Sequence, residues 1–161
     1  MSSERVFVAL GTNLGDRLLN LQEARRRLGG LRGVALRPEA FIVQTPAMLA
    51  EGDTQPQPPY LNTVLELRTD LVPRALLSAL LELERAMGRT RSTRWAPRVI
   101  DLDLVLYGQR QLEAPGLTLP HPGLASRRFV LEPLAALAPD LTVPPTNRRV
   151  RELLAVLGPV T

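Results

Sequence analysis

Two aspartates one residue apart, in the run Ile100-Asp101-Leu102-Asp103-Leu104, are the side chains best placed to do chemistry. A strand puts residues i and i+2 on one face, about 6–7 Å apart at Cα. Asp101 and Asp103 then point the same way, and Ile100, Leu102 and Leu104 point into a core. Like charges so arranged repel each other unless a cation lies between them. A hard, oxygen-only donor set of this kind suits Mg²⁺, and two ions bridging phosphate oxygens would use both carboxylates. The same pair also reads as an ordinary solvated strand face, and spacing alone leaves both readings open.

The segment just before it adds cations. Arg89, Arg91, Arg94 and Arg98 surround Trp95 and Pro97 in a single loop. Guanidinium forks take phosphate oxygens in pairs, and an indole shields a site or stacks on a ring. Arginines delivered onto a paired-carboxylate strand point to a nucleotide with its Mg²⁺. His121, the one histidine, stands between Pro120 and Pro122 and suits a structural turn as well as a phosphate contact. Tyr60 and Asn62 share a strand face, with Phe129 downstream. Two rings and an amide make a pocket for a flat heterocycle, with the amide offering donor and acceptor to its edge. Aromatic residues in a core are the plainer reading.

The elements that must carry these residues fit one domain over residues 1–161, with 45% hydrophobic and 22% charged residues, a balance that excludes disorder. No apolar run approaches the roughly 20 residues that span a bilayer. The N-terminal run lacks a signal-peptide layout, so no membrane partner and a cytoplasmic location are expected. Cysteine is absent, which excludes disulfides and thiolate chemistry. All 20 basic residues are arginine against 16 acids, so the net charge is +4. That excess suggests phosphate-bearing partners, although compositional bias explains most of it. A chain without lysine has neither a Walker-type loop nor a Schiff-base lysine.

Periodicity predicts a buried strand over Arg5–Leu10, stopped by Gly11. A helix capped by Asp16 follows to about Leu28, with Leu14, Leu18, Leu21 and Leu28 on its buried face. One strand is expected over residues 34–45, a long loop from Pro46 to Pro59, and an alternating strand over Tyr60–Arg68. Pro73 opens a second helix that Gly88 closes, and a strand follows over Val99–Tyr107. Shorter helical pieces fall around Ser126–Leu137 and Val150–Leu157. The order β-α-β-β-α-β is the split βαβ of an α+β, ferredoxin-like sandwich, with both helices on one face of an antiparallel sheet. The C-terminal third is then an additional α/β segment appended to that core.

Taken together, the chain closely resembles the 6-hydroxymethyl-7,8-dihydropterin pyrophosphokinases of folate biosynthesis. The resemblance rests on Val8-Ala-Leu-Gly-Thr-Asn-Leu-Gly15, Gln44-Thr-Pro46, Tyr60-Leu-Asn62, Gly88-Arg89, Arg94-Trp-Ala-Pro-Arg98, Ile100-Asp-Leu-Asp-Leu104, Leu119-Pro-His-Pro122, Arg127 and Phe129. It implies a ferredoxin-like enzyme that moves the terminal diphosphate of ATP to the pterin's hydroxymethyl group and releases AMP. By the same resemblance Asp101 and Asp103 hold two Mg²⁺ ions, and Arg89 and Arg98 join them as catalytic residues. Glu84, Arg89, Arg91, Trp95, Arg98, Thr118, His121 and Arg127 contact ATP. Gly11, Thr45, Pro46, Tyr60, Asn62, Trp95 and Phe129 form the pterin site, and Trp95 sits on a loop that closes over both substrates.

The partners so implied are ATP and the pterin, acting on a monomer with no nucleic acid. Two other functions fit the fold class. One is an RNA-binding module, although no strand carries the aromatic pattern such modules use. The other is a regulatory domain that binds a nucleotide without chemistry.

Overall fold

The computed structural model describes residues 3–38, 41–47, 52, 56–88 and 99–158. The strand β1 (Glu4–Thr12) pairs antiparallel with β4 (Tyr60–Thr69) on one side and with β5 (Asp101–Tyr107) on the other. β2 (Val34–Leu36) and β3 (Ile42–Thr45) both pair with the far edge of β4, giving the order β2-β4-β1-β5. With α1 (Arg17–Gly29) and α2 (Pro73–Ala86) this is the expected ferredoxin-like α+β unit. Among the described residues no helix is long and apolar enough to cross a membrane.

Local chemistry sets the helix ends. The Asp16 carboxylate accepts the Leu19 N–H at 3.1 Å and caps α1, while Pro73 opens α2 where its missing N–H has no cost. Leu21, Ala24 and Leu28 of α1 and Leu76, Leu80 and Leu83 of α2 pack on Val6, Val8, Leu10, Leu65 and Leu67 of the sheet.

The other sheet face is covered as well. Two short hairpins, β6 (Leu112–Ala114) with β7 (Leu117–Leu119) and β8 (Thr142–Val143) with β9 (Arg148–Arg149), accompany α3 (Arg128–Leu137) and α4 (Val150–Val156). Leu124, Val130, Leu131 and Leu134 join Phe7, Val64, Val105 and Leu106 in a second buried cluster. The C-terminal segment is additional to the ferredoxin-like unit, as expected, and it supplies the third layer of the molecule.

Four local expectations change. Gly11 does not stop β1, because its backbone is paired on both sides, with Asn62 and with Asp101. Leu14 and Leu18 are 42% and 48% exposed, since the first turn of α1 stands beside Gln44 and Pro59 instead of over the core. The single strand over residues 34–45 is two strands on either side of Pro38, which has no N–H to give a ladder. Val34 pairs with Thr69, and that register would set Ile42 opposite Leu61, yet Ile42 pairs with Thr63. Finally, β4 is buried on both faces from Asn62 to Leu67, so its alternation does not mark a wet side. Glu66, 4% exposed, is held there by two 3.0 Å hydrogen bonds from Arg5.

Candidate active site

The ladder itself assembles the first part of the site. Gly11 pairs with Asp101 and Asn62, and Ala9 pairs with Asp103, so the two aspartates, Asn62 and Tyr60 share the sheet face that α3 covers only in part. Thr45 and Pro46 from the end of β3, and Arg127 and Phe129 from the start of α3, complete a cavity of about 540 Å³. Gly11 lies on its floor, where a Cβ would stand 3.3 Å from Asn62 Oδ1 and 3.6 Å from Tyr60 Cδ1. All of the expected pterin-site residues among those described, Gly11, Thr45, Pro46, Tyr60, Asn62 and Phe129, meet here. Asn62 differs from expectation in one respect. Its amide nitrogen donates to Thr45 Oγ1 at 2.8 Å and to the Val43 carbonyl at 3.3 Å, so its donors are engaged within the protein.

A second cavity, about 720 Å³, opens at the edge of β5 between α2 and β7. Glu84, which is 1% exposed, Thr118 and His121, three of the residues expected to contact ATP, line it together. Arg127 lines the first cavity instead. Asp103 and His121 border both cavities.

His121 is fixed by its turn. Its N–H donates to the Val105 carbonyl at 2.9 Å, and the Gly123 N–H donates to its Nδ1 at 3.0 Å. A ring that accepts at Nδ1 carries its proton on Nε2. Burial holds the imidazole below its usual pKa, reinforced by the Arg127 cation and opposed by Asp103 and Asp101. His121 therefore offers an N–H donor between the cavities without adding a full charge. The Arg127 guanidinium lies against Gly123, where a Cβ would meet its Nε at 2.7 Å.

Asp101 and Asp103 are half-buried, Asp103 at the border of both cavities and Asp101 in the smaller one. Among the described residues no group of three or more His, Asp or Glu gathers as a metal cage. That donor set fits Mg²⁺, which takes one or two protein carboxylates and completes its shell with water and substrate phosphates. Arg89, Arg91, Arg94, Trp95 and Arg98 lie outside the described residues.

Sequence reasoning missed Leu77, Leu81 and Arg85, which face the second cavity from α2. The signal was present, since the apolar stripe of α2 is wider than the Leu76, Leu80 and Leu83 that enter the core. Asn13, quoted in the Val8–Gly15 motif, lines neither cavity; it is fully buried and donates to Gln57 Oε1 at 3.1 Å and to the Pro58 carbonyl at 3.3 Å.

A ferredoxin-like sheet whose edge strand carries an acidic pair, with Asp103 at the border of two cavities, places the chain in the α+β class with room for two ligands side by side. Residues 7–139 match the family model of 7,8-dihydro-6-hydroxymethylpterin-pyrophosphokinase, and the chain belongs to that family. It is 43% identical over 155 residues to the 2-amino-4-hydroxy-6-hydroxymethyldihydropteridine pyrophosphokinase of Pseudomonas aeruginosa, covering 94% of this chain and 91% of that one. The enzyme of the same name from Synechocystis is 41% identical over 147 residues, 91% of this chain and 73% of the other.

The fold recurs in solved structures. A crystal structure of an HPPK-DHPS in complex with substrates superposes with a TM-score of 0.76 at 11% identity, covering 98% of this chain and 44% of that one. A Plasmodium falciparum HPPK-DHPS mutant with pteroate gives 0.71 at 12% identity, over 96% and 41%. The chain thus spans less than half the length of these solved proteins.

Proposed function

We propose that the two cavities divide the family's substrates between them, ATP in the larger and 6-hydroxymethyl-7,8-dihydropterin in the smaller. The reaction is transfer of a diphosphate from ATP to the pterin's hydroxymethyl group in folate biosynthesis, yielding the pterin diphosphate and AMP. The observation that carries this division is the shared wall, because Asp103 and His121 line both cavities. Phosphoryl-type transfer needs the acceptor oxygen and the attacked phosphorus side by side, with charge neutralised around them, more than it needs a strong base. That wall is where such an encounter takes place.

In this reading Tyr60 and Phe129 grip the faces of the pterin ring, and the Asn62 carbonyl oxygen accepts from its edge. Gly11, Thr45 and Pro46 shape the walls. Glu84 and Thr118 bind the nucleotide, and the His121 Nε2–H donates to a phosphate oxygen. Arg127 brings a cation to the shared region, and Arg89, Arg91 and Arg98 are assigned to the phosphates, with Trp95 closing over both ligands. Asp101 and Asp103 hold Mg²⁺, taken as two ions, which neutralises phosphate charge and acidifies the acceptor hydroxyl when bound. The reading takes residues 1–161 as a single domain acting as a monomer. The reading places it in the cytoplasm, where ATP is available.

The test is product analysis. With ATP, MgCl₂ and 6-hydroxymethyl-7,8-dihydropterin, AMP and the pterin diphosphate are expected one for one, and chelation is expected to stop both. ADP as the product would mean attack at the wrong phosphorus. Ligand binding without any product would favour a binding domain.

A further inference from the structure

The segment Pro56-Gln57-Pro58-Pro59 leads directly into Tyr60 and has only one backbone N–H, that of Gln57. A stretch so poor in donors is anchored chiefly through its carbonyl oxygens, and the donors must come from elsewhere. One comes from Arg17. Its Nη1 donates to the Pro59 carbonyl at 2.7 Å and reaches Gln44 Oε1 at 3.5 Å. These two acceptors immediately precede Tyr60 and Thr45, which form the last cross-strand pair of β3 and β4 and two walls of the smaller cavity.

Arg17 is an improbable residue for its own helix. It is the first residue of α1, where the Asp16 cap is the one acid at the helix start and is spent on the Leu19 N–H, and a cation there opposes the helix dipole. Among the described residues it makes no ion pair with Asp or Glu that would offset this. Arg17 is half-buried, and its guanidinium is directed at two neutral oxygens across the end of the sheet.

We infer that Arg17 is a positioning residue for the pterin site: it ties the donor-poor approach of β4 to the end of β3 and so sets the distance between Tyr60 and the Thr45–Pro46 wall. The inference rests on the assignment of the pterin to the smaller cavity. Arg17 touches no substrate in this scheme and acts only through Pro59 and Gln44.

The test compares wild type with Arg17→Ala, Arg17→Lys and Arg17→Glu. Fluorescence titration with 6-hydroxymethylpterin and steady-state kinetics with the dihydropterin are both read, beside the KM for ATP and the thermal midpoint. Loss of a charge-assisted hydrogen bond to the pocket's frame is expected to weaken pterin binding and raise its KM roughly tenfold in the Ala variant. The KM for ATP and kcat stay within about twofold, and Lys restores most of the loss through the Pro59 carbonyl. The Glu variant separates positioning from plain stability. It loses the tether but favours the helix terminus, so its midpoint falls less than that of Ala, while its pterin affinity falls at least as far. Unchanged pterin affinity in the Ala and Glu variants overturns the inference while leaving the substrate assignment intact. Equal losses for ATP and pterin, or a loss that tracks the midpoint, also overturn it. A wild-type protein that binds ATP but no pterin overturns the assignment itself and the inference with it.

Discussion

Asp101 and Asp103 owe their common direction to the two-residue period of β5, and their exposure to the pairing of that strand with Ala9 and Gly11, whose small side chains leave the face open. Replacing either by alanine is expected to lower turnover by at least about 10²–10³-fold, the scale of losing a main electrostatic contact in phosphoryl chemistry. The far-UV circular dichroism should not change, because neither carboxylate is in a core cluster. Near-normal turnover in either variant would remove the metal assignment. The common face of the aspartate pair was legible from spacing alone, while its reading as a metal site came from the arginines before it and from the family resemblance. The amide of Asn62 was legible as a polar group on a pocket face, but not in its orientation, which depends on the Thr45 hydroxyl across the strand pair. Arg17 carried no signal, since its partner is a backbone carbonyl 42 residues away and carbonyls leave no trace in a sequence.

Among the elements, β5 departs most from a regular reading. Phe7 pairs with Leu106 and Val8 with Leu104, so Val105 is an extra residue in the strand. A bulge of one residue reverses the alternation beyond it. Val105 and Leu106 both enter the second cluster, while Tyr107 turns to the helix side, where it is fully buried. Its hydroxyl donates to the Leu71 carbonyl, tying β5 to the start of α2.

Tyr107→Phe is therefore expected to lower stability at pH 7 by about 1–2 kcal/mol in urea unfolding. The difference should depend on pH. Burial, with the Glu4 charge, pushes the Tyr107 phenol up to about 12 from 10.0. Its stabilising effect is then complete below pH 10 and falls by about 1.4 kcal/mol per pH unit as the unfolded chain ionises first, up to about pH 12. The gap between wild type and Tyr107→Phe should narrow from pH 7 to pH 11, and a constant gap would show that the phenol is not protected from ionisation.

For the whole molecule, the C-terminal segment decides how the site is made. Without it the sheet would expose Phe7, Val64, Val105 and Leu106, and the smaller cavity would lose Arg127, Phe129 and its roof. Leu134 is fully buried in that third layer. Leu134→Ala is expected to cost about 2–5 kcal/mol. Because the layer packs on the same central sheet as α1 and α2, the loss should appear as one cooperative transition in both fluorescence and circular dichroism. Separate transitions would mean that the third layer folds on its own.

The sequence by itself determined the β-α-β-β-α-β outline, both main helices with their Asp16 and Pro73 starts, the acidic pair and the family, because these depend on local period, capping and contiguous motifs. Only the tertiary structure decided the rest. The bulge at Val105, the split around Pro38 and the overhang of the first turn of α1 arise from what lies across the sheet. So do the shared wall of Asp103 and His121 and the Arg17 tether. Each is a relation between segments far apart in the chain, set by backbone pairing and by polar groups that must find partners once water is excluded.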